Sequence, residues 1–521
     1  MTLSDASFPN GRGFPPADPD KKVEADNVGN DNTPAMGKPL PIERDEFKCI
    51  SKGGFGDGWN HYAHCMAWFE DHLYVGTSRA ILAMIKVNDP PPALTHWPIN
   101  SPDDVYDIDR RAHIWRYNPC DETWEQVFVS PMVEGRTGDI VARDIGYRGV
   151  AVYQGPRDSK PCLYVCTWSS SKGQAPIIMR SEDGLSFESL PRPSWGEFVN
   201  TFRTLVPFKG CLFTTPTGST AGYGKAQECV GSAPTIYVCK DPMSGEWLEA
   251  SELGFGDPNN LTTFEMHTFN GCLYAGTINA EEGYQIWKTE ASGEPPFTWK
   301  KVVSHGAYRG KLNEIAVSMC ELNGALYIGS GIVNGGYHRV AKVGPAAGEI
   351  IRIHPDDSWE LVIGNPRLTP DGLKFPLGHM GPGFDNFFNG YIWRMFVHEG
   401  TMYVGTFKWT VLMPFIPLDK WPDSAQLLVE IRGVDELVSQ NAGFDLWKTT
   451  DGINWSPVTR TGFENMYNWG VRTMASTPYG LFIGTANPFG PEVAERTEDG
   501  WQYLHNPRGG TEVWLGVPRN E

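Results

Sequence analysis

Apolar and polar positions along this chain alternate with period two in short runs, and the runs recur. The recurring phrase is a short alternating strand, a turn such as Asn-Gly, then an apolar-Tyr-apolar-Gly strand. It reads MAWFEDHLYVGT (66–77), MHTFNGCLYAGT (266–277), MCELNGALYIGS (319–330) and MFVHEGTMYVGT (395–406). LVPFKGCLFTT (205–215) and MASTPYGLFIGT (474–485) are weaker copies, and the copy at 150–167 carries a longer turn. Alternation around a tight turn predicts a β-hairpin at each of these places.

A second phrase follows each hairpin. It is a strand carrying Trp or another large residue beside Lys or Arg, as in HIWRY (113–117), QIWKT (285–289) and DLWKT (445–449), and a Trp- or Phe-led strand comes next. Four strands per repeat is the unit of a β-propeller blade. The expected fold is all-β, a seven-bladed β-propeller of four-stranded antiparallel blades. The last blade has a third strand at 511–516 and lacks a fourth, and EFKCIS (46–51) supplies one, so the N-terminal strand is expected to close the ring and leave no open edge. The rival reading completes that blade with 494–504. Residues 1–44, rich in Pro, Gly, Asp and Asn, read as a flexible tail, and 45–521 as the propeller. Long insertions fall at 80–111 and 409–442, with a short helix expected within 421–439.

The turns RSEDGLSF (180–187) and KTTDGINW (448–455) resemble the Asp-box turn of sialidase-like propellers, one residue shorter. The architecture and length of 45–521 also resemble the propeller part of bacterial alkylating enzymes that join aromatic rings to alkyl halides. That likeness implies small-molecule chemistry at one end of a propeller channel.

Composition narrows the function. The formal charge is −18, which repels phosphate backbones, so no nucleic acid partner is expected. No run approaches the ~18 apolar residues of a membrane span. Ten cysteines are scattered without CxxC spacing and read as buried thiols in a reducing compartment. The N-terminus shows no basic start followed by an apolar run, and the expected location is cytoplasmic.

Candidate chemistry gathers where the repeats begin. Four loops share a Gly-Phe phrase, at 54–60, 254–260, 383–389 and 462–468, and Asn60, Asn200, Asn260, Asn313, Asn389 and Asn468 precede first strands. These shared residues read as structural corners. The residues that follow differ between repeats. Arg148, Arg203, Arg394 and Arg472, with Tyr147, Tyr391 and His267, are the expected substrate-binding set, since guanidinium forks bind carboxylate or phosphate. Glu265, Glu314, His64 and Tyr467 are the candidate acids and bases. An internal salt-bridge cluster is the competing reading. His61 and His64 suit one metal only if His61 lies in a loop, and DNVGNDN (26–32) is faintly like a calcium loop; no cofactor is predicted, with a divalent metal as the alternative.

The insertions carry apolar residues, Trp97, Ile99, Met413, Phe415 and Ile416, which suit lids over the channel or a homodimer contact. The chain carries no GxSxG, HExxH or P-loop. The expected function is an enzyme acting on an anionic or amphiphilic small molecule by acid–base and electrostatic catalysis, its class open among lyase, hydrolase and alkyl transferase. The alternatives are a non-catalytic ligand- or sugar-binding propeller and a protein-interaction scaffold.

Overall fold

Each hairpin phrase folds as its alternation requires. In the computed structural model, which describes residues 40–88, 94–217, 234–338, 341–420 and 423–519, the first phrase gives the antiparallel pair Asn60–Phe69 and His72–Arg79. His113–Asn118 and Thr123–Val129 add in turn to complete a four-stranded meander. Further meanders start at Gly146–Tyr153, Thr201–Phe208, Thr262–Phe269, Ile315–Leu322 and Asn389–His398. Strands hold 44% of the described residues and helices 14%, so the class is all-β. The meander starting at Gly470–Thr477 takes its third strand from Val513–Gly516, and Phe47–Ser51 pairs with that strand. The stretch 494–504 lies instead in a separate hairpin, Glu492–Thr497 with Gly500–His505. Second strands reach across to neighbouring first strands: Ser78 pairs with Gly146, Phe407 with Gly470, and Ala486 with Tyr62.

The repeated residues are explained by these junctions. A Cβ placed on Gly405 would lie 2.3 Å from Cβ of Val471, and one on Gly276 would lie 2.5 Å from Cβ of Ala316. The Gly of each apolar-Tyr-apolar-Gly strand is therefore where the next meander's first strand presses in. In the Gly-Phe loops the Phe takes a left-handed conformation (φ 61° at Phe55, 57° at Phe384), which costs energy for a bulky residue. The ring then stacks on a third-strand Trp: Phe55 on Trp115 at 4.8 Å, Phe255 on Trp287 at 4.9 Å, Phe384 on Trp447 at 4.7 Å. The following Asn locks the corner. Asn389 donates to the carbonyl of Gly383 at 2.8 Å and to Asp445 Oδ2 at 2.8 Å. Asn60, Asn260, Asn313 and Asn468 make the same pair of contacts with their own loop glycine and third strand. The Asp-Gly turns also share one geometry, with Asp183 and Asp451 each accepting two backbone N–H bonds at 2.8 Å.

The insertions fold onto the protein. Ile81–Met84, Ile99, Val411, Met413, Leu437 and Val438 share one buried cluster with Tyr62, Phe264, Val317 and Trp393 from the first strands. Thr95 donates to the Phe415 carbonyl at 2.8 Å, and Ile99 bridges to Val493. Ile99, Met413 and Phe415 are buried within the chain, while Leu427 and Ile431 of the second insertion stay exposed. The helix expected within 421–439 is two helices, Asp423–Arg432 and Val434–Asn441, broken at Gly433 with φ 79°. Residues 40–44, expected in a flexible tail, are anchored: Ile42 is buried and its N–H donates to Tyr403 Oη at 2.8 Å. The calcium-like stretch 26–32 lies outside the described residues. Among those residues no helix is long and apolar enough to cross a membrane.

Candidate functional site: a cationic channel

Every first strand carries a β-bulge near its start. The register against the second strand skips His64, Arg148 with Gly149, Arg203, Phe264, Val317, Trp393 and Arg472. A bulge re-aims the extra side chain out of the ordinary alternation. All of these residues line one cavity of about 530 Å³, together with Glu265, His267 and Arg394. In strand order the bulge positions form two arcs. Arg472, His64, Arg148 and Arg203 come from consecutive strands, and so do Phe264, Val317 and Trp393.

Each bulge arginine lies over an aromatic ring. Arg148 is 4.7 Å from the centre of Trp168, Arg203 is 3.2 Å from Phe264 and Arg472 is 5.6 Å from Trp393. Such stacking orients a guanidinium without neutralising it. Carboxylates are sparse: Glu265 meets Arg394 at 3.3 Å, and Glu321 stands at the solvent end. Among the described residues of the lining, four guanidiniums against these two leave two positive charges in excess. The ion pair realises one contact of the salt-bridge cluster weighed above. Burial, then Arg148 and Arg394, pulls the Arg472 pKa down to about 9. Arg394 Nε is buried with no hydrogen-bond partner.

His64 sits among these cations. Burial, then Arg472, Arg148, Arg203 and Arg394, holds its pKa well below the usual imidazole value, so it is neutral. Arg148 Nε donates to its Nε2 at 3.4 Å, which places the ring proton on Nδ1, donating to Ser78 Oγ at 2.7 Å. His267 is neutral as well, lowered to about 4 by burial and Arg394. His61 does not join a metal site with His64. Its Nδ1 accepts from the N–H of Ile81 at 2.8 Å and its Nε2 meets the Gly490 carbonyl at 3.1 Å, so both nitrogens tie down the first insertion. Asp158, Cys162 and Glu182 lie together elsewhere, but Asp158 is already held by Arg180, Tyr164 and the N–H of Gly155.

The remaining predicted residues stand outside the channel lining. Tyr147 is fully buried, its hydroxyl 3.4 Å from Asp144 Oδ2, and burial raises its pKa well above the phenol range. Tyr391 accepts from the Gly335 N–H at 2.7 Å, and Tyr467 packs 5.5 Å from Phe489. Glu314 is fully buried, accepts from the Val333 N–H and lies 3.4 Å from His338 Nδ1; burial pushes its pKa up to about 7. Phe264, Val317 and Trp393, absent from the predicted site, complete the channel wall. Their signal was positional: each stands two residues before a hairpin phrase, as His64, Arg148, Arg203 and Arg472 do.

The insertions do not act as lids over an open mouth. They close the channel's bulge end as part of its apolar core. His64, Arg148, Arg203 and Arg472 are 4%, 8%, 9% and 9% exposed. One step along the strands, the Glu265 and Arg394 side chains reach 19% and 29%, and Glu321 and Ser476 beyond them are exposed. The cavity therefore opens at the hairpin end of the first strands, opposite the insertions.

The architecture is thus an all-β assembly of meanders whose first strands line one arginine-rich cavity. No family model matches the sequence, and no curated protein matches it. Among solved structures, a chain of a nidogen/laminin complex aligns over 57% of this chain and 87% of its own length, at 11% identity and a TM-score of 0.31. A puromycin-hydrolyzing peptidase of Mycobacterium tuberculosis covers 86% of this chain and 61% of its own, at 9% identity and a TM-score of 0.35. A prolyl endopeptidase covers 84% and 45%, at 10% identity and a TM-score of 0.37. At these scores the likenesses carry no argument about activity.

Proposed function

We propose that the meanders close into a seven-bladed β-propeller and that its channel binds a small multivalent anion. The ring reading is supported by the Tyr62–Ala486 bridge and by the pairing of Phe47–Ser51 with Val513–Gly516. The functional reading rests on one observation: among the described residues the cavity lining carries four arginines, Arg148, Arg203, Arg394 and Arg472, and two carboxylates, Glu265 and Glu321. A cavity wall with more guanidinium than carboxylate groups focuses positive potential, which an anionic ligand meets favourably. As an enzyme, the site would use the guanidiniums to stabilise developing negative charge, with Glu265 as the group placed to move a proton. Glu314, His64 and Tyr467 do not fill that role. Glu314 and Tyr467 lie outside the lining, and the cations around His64 oppose its protonation.

The test is titration of the purified chain with citrate, followed by calorimetry and thermal shift. Citrate is expected to bind and raise the melting temperature, with an affinity that falls as salt rises. Arg203→Gln should weaken binding by at least about tenfold while the variant stays folded, since a charged hydrogen bond contributes about 1.5–3 kcal/mol. A chain indifferent to citrate and to other multivalent anions at millimolar concentration would remove the reading.

A further inference from the structure

We infer that the ligand of this channel is amphiphilic, an oxyanion head joined to a flat apolar body. The inference rests on the anion reading above and deepens it.

The cavity wall is divided by strand order. Arg472, His64, Arg148 and Arg203 occupy the bulges of four consecutive strands, and Phe264, Val317 and Trp393 occupy those of the other three. Val317 stands at the middle of the apolar arc, and His64 and Arg148 are the bulge positions farthest from it in strand order. At both boundaries a guanidinium lies on a ring, Arg203 on Phe264 and Arg472 on Trp393. A site built for a bare inorganic anion has no use for such an arc, because apolar groups cannot satisfy oxyanion lone pairs. The volume points the same way. A cavity of about 530 Å³ falls within the ~300–1,000 Å³ range of pockets for whole organic ligands. An aromatic or similarly flat body against Val317 would let its carboxylate or phosphate head meet the guanidiniums opposite. The closed bulge end sets the depth of entry, so the ligand arrives from the hairpin end.

Phenyl phosphate and inorganic phosphate carry the same head and differ in the body, and benzoate compares carboxylate with phosphate as the head. Calorimetric titration of the full chain should show phenyl phosphate binding at least about tenfold tighter than inorganic phosphate. Val317→Phe should fill the apolar arc and bring that ratio close to one. Val317→Ala, a milder change that covers the case of a misfolded Phe variant, should lower the ratio about threefold. Arg203→Gln should weaken both ligands together. Equal binding of phenyl phosphate and inorganic phosphate by the unaltered chain would overturn the amphiphilic inference and leave the anion reading standing. A ratio untouched by both Val317 variants would overturn it too. If neither phosphate nor phenyl phosphate nor benzoate binds, both readings fall.

Discussion

Removing one channel arginine should make the ligand-free protein more stable. The perturbation is Arg472→Met, which keeps an unbranched apolar stem and deletes the charge. Arg472 is held at a pKa of about 9 by burial and by Arg148 and Arg394. At about 1.4 kcal/mol per pKa unit, the drop from an ordinary guanidinium represents a cost on the order of 5 kcal/mol for keeping the charge in place. The substitution also forfeits stacking on Trp393, about 0.5–2 kcal/mol. The net expectation is a gain of roughly 3–4 kcal/mol, in keeping with buried charges replaced by apolar residues of similar volume. For a chain of this size that corresponds to a melting temperature higher by roughly 2–5 °C. The assay is thermal unfolding in a buffer of monovalent ions, with and without citrate. The variant should melt higher without citrate and gain less from it. The pH dependence supplies a second readout. Above about pH 9 the native chain binds fewer protons at this site than the unfolded chain, so its stability rises with pH there, and the gap to the variant narrows. A ligand-free variant that melts lower would show that Arg472 is a structural residue and that the cluster is already compensated.

Two further expectations concern the frame and a buried acid. Asn389→Ala removes the donor to Gly383 and Asp445 and the acceptor for Thr406 Oγ1, all inside the protein, and should cost about 2–4 kcal/mol by urea denaturation; an effect below about 0.5 kcal/mol would show that the corner is decorative. Glu314 has a native pKa raised to about 7 by burial, so between the ordinary carboxyl range and pH 7 the native state holds a proton that the unfolded chain lacks, and stability falls as pH rises through that window. Glu314→Gln should flatten that decline in melting temperature between about pH 4.5 and 7, and an unchanged slope would assign it to another group.

What the repeats share was legible because packing demands it. The Gly of the hairpin phrase, the Phe of the Gly-Phe loops and the corner Asn each occupy positions where a neighbouring strand, a Trp face or a buried carbonyl leaves few alternatives. Their spacing alone therefore predicted hairpins, third strands and the strand borrowed from the N-terminal side. The insertions were misread for the opposite reason. Ile99, Met413 and Phe415 look like free apolar surface in a local window, and their burial depends on contacts hundreds of residues away, such as Thr95 with Phe415.

The site was legible only in part, and the bulge explains which part. Two residues before each hairpin phrase, the strand carries one residue more than its partner, so that side chain escapes the alternation and turns into the cavity. Its neighbours are largely other bulge residues and the rings beside them, such as Arg203 with Phe264 and Arg472 with Trp393, rather than the repeated packing of the layers, and its identity is free to vary between repeats. That freedom is why charge marked Arg148, Arg203, Arg472 and His64 as unusual while Phe264, Val317 and Trp393 passed as ordinary core. It also separates Tyr147, Tyr391 and Glu314 from the channel: each lies near the start of a first strand but one or more residues ahead of the bulge, where the alternation still points side chains into the layers between strands. Position relative to the bulge, more than residue type, decides which groups a ligand can touch, and by that criterion the apolar arc belongs to the site as fully as the arginines do.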